Sequence, residues 1–312
     1  MKKFLVTGGA GFIGSHIVSS LVKKGYCVRV LDNFCSGKRE NLISVIGKID
    51  LLRGDIRYEK DCLRATRGVD FVLHQAALRS VPKSMKFPHD YNEVNINGTL
   101  NMLEASAKNK VKCFVFASSS SVYGETDKFP EKESFLPGPI SPYALSKLTG
   151  EHYCKIFSLF YKLPCVSLRY FNVFGPRQSL DDEYAVVIPK FIHCMLNNNH
   201  PPIYGTGKQS RDFTYVGNVV QANILASQKP ALKGEVFNVA SGKDYSVLEL
   251  VNMLNKILNK NIKPVFLPIR AGDVFRTNAD LTRSRARLRF NPGINFSLGL
   301  KLTVDYFKGE MR

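Results

Sequence analysis

One tyrosine–lysine pair in this sequence has the spacing needed for acid–base chemistry. Of thirteen tyrosines, only Tyr143 and Tyr204 have a lysine four residues later. Tyr143 and Lys147 lie in a stretch of helical character after a Ser-Pro pair, and residues four apart share a helix face. Tyr204 and Lys208 enclose two glycines and follow two prolines, which predicts a loop. A neighbouring ammonium favours a phenolate and lowers its pKa, so Tyr143 is the candidate proton acceptor for a substrate hydroxyl.

Four serines at 118–121 are a second group that could take part in chemistry. They directly follow an apolar run at 111–116 that is typical of a buried strand. The serines therefore lie at the end of a strand and are not expected to form a linker. Tyr123, close behind them, has Asp127 four residues later and no lysine, so we do not expect it to be the base.

A glycine-rich turn supplies the third chemical signal. Gly8, Gly11 and Gly14 have G-x-x-G-x-x-G spacing between an apolar run at 4–7 and a helical pattern at 12–24. The first glycine permits a turn, the second lets a pyrophosphate approach the backbone, and the third lets helix and strand pack closely. The free N–H groups and dipole of the following helix favour the phosphates.

Asp32 ends the second predicted strand, 18 residues after Gly14. A carboxylate at this point accepts hydrogen bonds from the adenosine ribose hydroxyls and repels a 2′-phosphate, so NAD is favoured over NADP. Lys38 and Arg39 argue the other way, but they come six and seven residues later. With a nicotinamide beside Tyr143, hydride can leave the same carbon whose hydroxyl loses its proton.

The elements that must position these residues alternate between strand and helix. Strand-like segments at 4–7, 27–31, 71–73, 113–116 and 165–168 are separated by helical patterns, which predicts an α/β fold with a doubly wound parallel sheet. After about residue 172 proline and glycine become denser. We therefore predict a cofactor-binding domain at 1–172, to which some later segments return, and a smaller, interleaved substrate domain at 173–312.

Composition limits the remaining possibilities. The seven cysteines are odd in number and contain no C-x-x-C pair, which predicts reduced, buried thiols and neither a disulfide framework nor a metal site. No apolar run approaches the ~20 residues of a membrane span, and the start lacks the features of a signal peptide, so we expect a cytosolic protein without membrane insertion.

The net charge of +18, from 44 Lys and Arg against 26 Asp and Glu, favours anionic partners. The basic residues are spread along the chain without interleaved aromatic residues, so no nucleic acid partner is expected. A solvated basic surface is the simpler interpretation, and a field that steers a diphosphate substrate is the alternative.

Together, motifs along nearly the whole chain resemble the extended short-chain dehydrogenase/reductase superfamily, in its nucleotide-sugar epimerase branch. The resemblance rests on these stretches: TGGAGFIG at 7–14, DN at 32–33, GDI at 54–56, HQAA at 74–77, NINGT at 95–99, the serine run, SPY at 141–143 with Lys147, RYFNVFGPRQ at 169–178, YAVVIP at 184–189, RDF at 211–213 and RAGD at 270–273.

The resemblance implies a Rossmann domain, a C-terminal nucleotide-sugar domain and an active site between them. The implied catalytic residues are Ser119, Tyr143, Lys147 and Ser120. Ser119 would hydrogen-bond the C4 oxygen and relay to Tyr143, whereas Ser118 would be structural or face the cofactor. The implied NAD-binding residues are Gly8, Gly11, Phe12, Ile13, Gly14, Asp32, Asn33, Asp55, Ile56, Gln75, Ala76, Ala77, Asn95, Ser118, Tyr143, Lys147 and Tyr170.

The implied substrate site would bind a UDP-sugar. Arg211 and Arg270 would clamp its diphosphate, and Asp273 would bind the uridine ribose. The full implied set is Ser119, Tyr143, Asn172, Gln178, Val186, Val187, Lys190, Tyr204, Arg211, Arg270, Asp273 and Thr277. The family commonly dimerises through two helices, here expected at 94–108 and 143–161, so a homodimer is expected.

The residues before Val122-Tyr123-Gly124 indicate the reaction. Related 4,6-dehydratases carry Asp-Glu there and sugar-acid decarboxylases often carry Glu, but this chain has Ser120 and Ser121. Without these carboxylates elimination is disfavoured, and oxidation at C4, rotation of the ketone and return of hydride to the other face remain. The resemblance therefore implies an isomerase, a 4-epimerase that regenerates its NAD in each turnover.

The sugar is indicated by position 277. By resemblance this position borders the C2 substituent, and the small Thr277 leaves room for an N-acetyl group. We therefore expect UDP-GlcNAc/UDP-GalNAc interconversion, with UDP-glucose/UDP-galactose as a further pair, although Thr277 could instead only pack. The alternatives are a UDP-glucuronate 4-epimerase or decarboxylase, for which no dedicated carboxylate partner is evident, and a non-enzymatic Rossmann protein that binds RNA or NAD.

Overall fold

A computed structural model describes residues 1–179, 187–229, 232–268 and 274–310 of the chain. The described strands are β1 (Lys3–Thr7), β2 (Cys27–Asp32), β3 (Ile49–Arg53), β4 (Phe71–His74), β5 (Cys113–Ser119), β6 (Cys165–Tyr170), β7 (Val173–Phe174), β8 (Pro202–Tyr204), β9 (Ser210–Arg211), β10 (Thr214–Tyr215), β11 (Glu235–Val239), β12 (Tyr245–Ser246) and β13 (Val265–Leu267).

The α-helices are α1 (Phe12–Lys23), α2 (Glu59–Thr66), α3 (Val81–Lys86), α4 (Pro88–Tyr91), α5 (Gly98–Lys108), α6 (Pro142–Phe160), α7 (Val187–Leu196), α8 (Val216–Ser227), α9 (Val247–Leu258) and α10 (Phe296–Glu310). 3-10 helices span Arg39–Lys48 and Ser120–Tyr123, and π-helical turns span Asn92–Asn97 and Ser284–Leu288.

Seven strands form the central sheet in the order β11-β6-β5-β4-β1-β2-β3, and every neighbouring pair is parallel. β5 and β6 are buried along their whole length, as expected for strands covered by helices on both faces. The strand order reverses between β1 and β4, so the loops after these two strands diverge and leave a crevice at the carboxyl edge. The predicted doubly wound α/β fold is confirmed.

Helices cover both faces of this sheet. On one face, α1 and α8 pack against each other and share a core that includes Ile17, Val115 and Val219. On the other face, α2, α5 and α6 share a core that includes Leu5, Phe114 and Phe157. Among the described residues, no helix is both long enough and apolar enough to cross a lipid bilayer.

The second half of the chain builds its own core and also completes the sheet. Phe174, Phe191, Leu250 and Phe296 pack together among α7, α9 and α10. The strand pairs β7–β10, β9–β12 and β8–β13 lie in this half. β11, however, joins the central sheet beside β6, so a late segment is part of the cofactor half.

All seven cysteines are free thiols. Cys62, Cys113, Cys154 and Cys165 are buried, which agrees with the prediction from sequence. The prediction was wrong for Cys27 and Cys35, which are exposed because they lie at the start of β2 and in the loop after it.

Candidate active site

The turn between β1 and α1 is built for close approach of the backbone. Gly8 has a φ of +63°, and a Cβ placed on it would lie 2.8 Å from the Ala76 backbone nitrogen. A Cβ on Gly14 would overlap the Gly8 carbonyl oxygen. α1 begins at Phe12, with Ile13 next, and no side chain caps its first turn at Gly11. The first amides of α1 are therefore suited to a pyrophosphate.

Asp32 lies at the carboxyl end of β2, close to this turn. Its carboxylate accepts hydrogen bonds from the Ala10 N–H at 2.9 Å and the Phe34 N–H at 2.8 Å. Burial raises the pKa of Asp32, and these two bonds counteract the rise. A carboxylate has about four acceptor positions, so acceptor capacity remains for the hydroxyls of a ribose.

Asp55 and Asn33 form the neighbouring part of the crevice. The Asn33 side-chain amide donates to Asp55 Oδ2 at 2.9 Å, and the Arg57 Nη2 donates to the same oxygen at 2.8 Å. Burial acts to raise the pKa of Asp55, but the Arg57 and Asn33 hydrogen bonds outweigh it and lower the pKa to about 2. Ile56 follows directly and packs beneath Gly98 of α5. Four of the predicted NAD-binding residues thus lie along the ends of β2 and β3, namely Asp32, Asn33, Asp55 and Ile56.

A closed ring of hydrogen bonds holds Gln75 at the end of β4. The Tyr170 hydroxyl donates to Gln75 Oε1 at 3.2 Å, Gln75 Nε2 donates to Asn223 Oδ1 at 3.1 Å, and Asn223 Nδ2 donates to Tyr170 at 2.8 Å. Asn223 lies on α8 and is fully buried. The motifs did not identify it, because its partners lie 53 and 148 residues away in sequence.

His74 supports the loop after β4 from below. Its two ring nitrogens lie 2.8 Å from Thr7 Oγ1 and 3.1 Å from Thr99 Oγ1. Thr7 Oγ1 also accepts from the Ala76 N–H at 3.2 Å. Burial lowers the pKa of His74 to about 3, with a smaller contribution from the charge of Lys147, so the imidazole is neutral. The residues Ala76 and Ala77 that follow are half-buried along the crevice.

Asn95 is buried and holds the same loop by hydrogen bonds. Its side-chain oxygen accepts from the Leu78 N–H at 2.8 Å, and its nitrogen donates to the Leu78 carbonyl at 2.9 Å and to Ser146 Oγ at 3.0 Å. Asn95 is 1% exposed. Its side chain therefore braces the crevice against α6, and the predicted cofactor contact would be indirect.

Tyr143 and Lys147 lie on the first turns of α6, which Ser141 caps by accepting from the Ala144 N–H at 3.1 Å. The Ser119 side chain at the end of β5 acts on the Tyr143 hydroxyl, in the direction of lowering its pKa. Lys147 Nζ lies 6.0 Å from the centre of the Tyr143 ring and donates to the Ala117 carbonyl at 2.9 Å. The serine run, the tyrosine and the lysine thus meet at one point of the crevice.

The pKa values at this point differ from the expectation that Lys147 lowers the pKa of Tyr143. Burial raises the pKa of Tyr143, while the Ser119 side chain and the charge of Arg79 act to lower it. Burial also lowers the pKa of Lys147 to about 8. The Lys147 ammonium is directed to the Ala117 carbonyl. Ser119 and Arg79 are therefore the protein groups that favour the phenolate form of Tyr143. The positive charge of a bound nicotinamide would act in the same direction as these two groups.

The serines divide by their position on β5, where successive side chains point to opposite faces. Ser118 points into the core and donates to Glu151 of α6, whose carboxylate also accepts from Arg169 Nε at 2.9 Å and Nη2 at 2.8 Å. Of the two roles considered for Ser118, its side chain takes the structural one. Ser119 Oγ accepts from the Ser121 N–H at 3.1 Å, and Ser120 is half-buried in the following 3-10 turn.

Tyr123 is held away from Tyr143. Its hydroxyl donates to Asn238 Oδ1 of β11 at 2.7 Å, and only 3% of the residue is exposed. The Arg169 guanidinium lies 4.6 Å from the centre of its ring. Burial raises its pKa well above the ordinary value, although the Arg169 charge acts to lower it. This environment suits a structural tyrosine and not a base.

Asn172 and Thr277 meet on the substrate side of the crevice. Asn172 Nδ2 donates to Thr277 Oγ1 at 2.8 Å. The Asp212 N–H donates to the same oxygen at 3.3 Å and also to the Thr277 backbone carbonyl at 3.0 Å. Thr277 is 9% exposed. Two donors therefore occupy the acceptor positions of its hydroxyl oxygen, and the side chain that borders the crevice is small.

The other predicted substrate residues lie on the elements of the second half. Gln178 Nε2 donates to the Val173 carbonyl at 3.1 Å, and Val187 begins α7. Lys190 Nζ lies 5.8 Å from the centre of the Tyr204 ring, and Arg211 donates to two backbone carbonyls, those of Ser210 and Phe275. Val186, Arg270 and Asp273 lie outside the described residues.

Comparison with known proteins gives consistent matches over nearly the full length. Residues 4–240 match the model of the NAD dependent epimerase/dehydratase family. The UDP-N-acetylglucosamine 4-epimerase of Methanobrevibacter ruminantium, solved with UDP-N-acetylmuramic acid, is 41% identical over 99% of both chains with a TM-score of 0.95. The UDP-glucose 4-epimerase of Thermotoga maritima, solved with UDP-glucose, is 40% identical over 99% of this chain and 100% of its own, with a TM-score of 0.94.

A relative from Methanocaldococcus jannaschii, described as a putative UDP-glucose 4-epimerase, is 39% identical over 99% of both chains. Three features of this chain fit NAD: the glycine turn, the Asp32 carboxylate and the Ser119–Tyr143–Lys147 cluster. The chain therefore belongs to the NAD-dependent epimerase/dehydratase family, it is an isomerase of that family, and NAD is its cofactor.

Proposed function

We propose that this protein epimerises a UDP-hexose at C4, with UDP-GlcNAc and UDP-GalNAc as the main pair and UDP-glucose and UDP-galactose as a second pair. The observation that carries the proposal is the Ser119–Tyr143–Lys147 cluster at the carboxyl end of β5. It offers a proton acceptor, a hydroxyl relay and a cation beside the crevice that holds NAD.

Tyr143 takes the proton of the C4 hydroxyl, and Ser119 hydrogen-bonds the same oxygen and steadies the tyrosine. Bound NAD supplies the reversible acceptor for the hydride that leaves C4. Lys147 Nζ lies 6.0 Å from the centre of the tyrosine ring and is held there by the Ala117 carbonyl. Ser119 and Arg79 are the protein groups that favour the phenolate before proton transfer. When the sugar presents its other face, Tyr143 returns the proton to the oxygen and the C4 configuration is inverted.

The residues around the serine run support epimerisation over elimination. A dehydratase needs carboxyl groups that move protons at further carbons of the sugar, but Ser120 and Ser121 stand at the positions before Val122. Glu151, the acid bonded to Ser118, is 5% exposed and paired with Arg169. It is therefore not available to a sugar carbon.

The preference for an N-acetylated sugar rests on Thr277. The residue is small, and its hydroxyl is turned to Asn172 and the Asp212 amide. A site bordered by a side chain this small has room for an acetamido group. The relative from M. ruminantium carries an N-acetylglucosamine epimerase name, which agrees with this choice.

The proposal is tested by incubating the purified protein separately with UDP-GlcNAc, UDP-glucose and UDP-glucuronate and separating the products by chromatography. We expect UDP-GalNAc from the first and UDP-galactose, more slowly, from the second. If none of the three yields a C4 epimer, the protein is not a UDP-sugar 4-epimerase.

We further propose that the protein is a cytosolic homodimer that associates through α6. This helix exposes Leu145, Ile156, Leu159 and Phe160 to 53, 43, 54 and 77%, which leaves an apolar strip along an otherwise polar helix surface. Sedimentation should give a dimer for the native chain and a monomer for Phe160→Glu. A native monomer at micromolar concentration would contradict this assignment.

A further inference from the structure

A buried glutamate in the loop after the serine run fixes the chain segment that carries Thr277. Glu131 is 1% exposed. Its N–H donates to the Asn278 carbonyl at 2.7 Å, and its carboxylate accepts from the Asn278 N–H at 2.9 Å. Its carbonyl accepts from the Asp280 N–H at 2.9 Å. Glu131 therefore bonds to residues 278 and 280, and one of these three bonds uses its side chain.

The opposite edge of this segment is held by residues 210–212. The Thr277 N–H donates to the Ser210 carbonyl at 3.2 Å, and the Asp212 N–H donates to the Thr277 carbonyl at 3.0 Å. The Asp212 carboxylate accepts from the Ala279 N–H at 3.3 Å. Residues 277 and 279 are thus bonded on one edge and residues 278 and 280 on the other, which is the alternation of an extended strand. Removing the bonds on either edge leaves Thr277 held from one side only.

Glu131 also connects this segment to the central sheet. Asn238 of β11 donates through Nδ2 to the Glu131 carbonyl at 2.9 Å and to the Asp280 carbonyl at 3.2 Å. The Asn238 side-chain oxygen accepts from the Tyr123 hydroxyl at 2.7 Å, directly behind the serine run. A continuous path of hydrogen bonds therefore leads from the end of the serine run through Glu131 to the neighbour of Thr277.

The Glu131 side chain acts here as a hydrogen-bond acceptor. Burial raises its pKa to about 7, although the bond from the Asn278 N–H acts to lower it. The nearby charge of Asp212 acts to raise this pKa, and the charges of Arg169 and Arg211 act to lower it. The neutral form is therefore accessible near neutral pH, and both forms of a carboxyl group can accept the Asn278 N–H. A glutamine of the same length is expected to keep this bond.

We propose that Glu131 is a positioning residue for sugar selectivity. By accepting from the Asn278 N–H, it keeps the neighbouring Thr277 at the place where its small side chain leaves room for an acetamido group at C2. This inference rests on the proposed function, in which Thr277 borders the C2 substituent. Glu131 acts through the backbone of Asn278 and needs no contact of its own with the sugar.

The test compares kcat and KM for UDP-GlcNAc and UDP-glucose in the native chain, in Glu131→Ala and in Glu131→Gln. A misplaced residue at the wall of the site should cost the substrate with the larger C2 group more. Glu131→Ala should therefore lower the ratio of kcat/KM for UDP-GlcNAc to that for UDP-glucose by about tenfold, mainly through KM. Glu131→Gln keeps the acceptor and should retain the native ratio.

Glu133→Ala is the matched control from the same loop. The Glu133 carboxylate accepts from the Asn238 N–H at 2.8 Å, so this variant also loses one bond to a backbone N–H. That bond holds the loop to β11 and does not reach residues 277–280. Glu133→Ala should therefore leave the sugar ratio unchanged. An equal shift in both alanine variants would indicate general loosening of the loop and would overturn the inference.

Equal losses for both sugars, or an unchanged ratio, in a folded Glu131→Ala that retains NAD would also overturn it. If Glu131→Ala does not fold, Glu131→Asp, which withdraws the acceptor by one methylene, decides by the same ratio. If Thr277→Tyr shifts the ratio and the Glu131 variants do not, the inference fails and the proposed function stands. If the native protein epimerises no sugar, calorimetric dissociation constants of the two UDP-sugars for the native and Glu131-variant proteins decide the role of Glu131. An unchanged ratio of these constants then counts against it.

Discussion

The substitution Tyr143→Phe removes one hydroxyl and tests the proposed chemistry most directly. A positioned general base contributes about 10²- to 10⁴-fold to a rate, so kcat should fall by that factor, which corresponds to about 3–5 kcal/mol in the barrier. The cost to stability is far smaller. A hydrogen bond between this hydroxyl and Ser119 would contribute only about 1 kcal/mol net. The variant should therefore fold and retain NAD, because the glycine turn and Asp32 are untouched.

The assay follows epimer formation by chromatography and measures the NAD released from the purified variant by denaturation. Tyr123→Phe is the matched control, since it removes a hydroxyl bonded to Asn238 at 2.7 Å in a residue that is 3% exposed. That change leaves a buried acceptor unsatisfied and should cost about 1–3 kcal/mol of stability, with turnover near that of the native enzyme. Near-native turnover by Tyr143→Phe, or an equal loss in a folded Tyr123→Phe, would refute the reasoning.

Three further changes test the cofactor, the sugar and the pH dependence of stability. Asp32→Ser should weaken the preference for NAD over NADP by about tenfold or more, because like-charge repulsion of the 2′-phosphate is lost. Competitive binding of the two cofactors measures this preference. An unchanged preference counts against the role of Asp32. Thr277→Tyr should lower kcat/KM for UDP-GlcNAc by about tenfold or more relative to UDP-glucose, and equal losses for both sugars would contradict the position assigned to Thr277. His74 has its pKa lowered from 6.5 to about 3, so the unfolded chain binds more protons in that window and the free energy of unfolding should fall as the pH drops below 6.5. Urea unfolding at pH 7 and pH 5 should show a smaller difference for His74→Asn than for the native chain, and the same difference would exclude this contribution.

Residues close together in sequence were predicted well. The glycine turn, the Asp32 position and the Tyr143–Lys147 spacing each depend on one strand end or one helix start, and their local pattern carries the geometry. The alternation of strand and helix was sufficient for the parallel sheet, although the return of β11 to its edge has no local signal. The roles of the predicted site residues stay predictions until the variants are measured.

Residues that support the site from a distance were missed for a physical reason. Asn223 reaches Gln75 across 148 residues and was not identified. Asn172 and Thr277 were both predicted, but the bond that joins them across 105 residues was not. Such bonds depend on how α8 and the second half pack on the sheet, and no spacing in the sequence reports that. Burial of the Tyr143 side chain is a second property that the sequence spacing does not report. The spacing of Tyr143 and Lys147 suggested a lowered tyrosine pKa, but enclosure of the ring raises it.

The return of β11 to the central sheet limits how this protein can be divided. β11 covers the edge of β6, and α8 packs on the same face as α1, so these two elements belong physically to the cofactor half. A fragment that ends at residue 172 would expose β6, with Arg169 and Tyr170, as an open strand edge prone to aggregation. A chimera that exchanges sugar specificity must therefore transfer the segments on either side of 216–239 as two separate pieces. Neither half is therefore a continuous module of the chain.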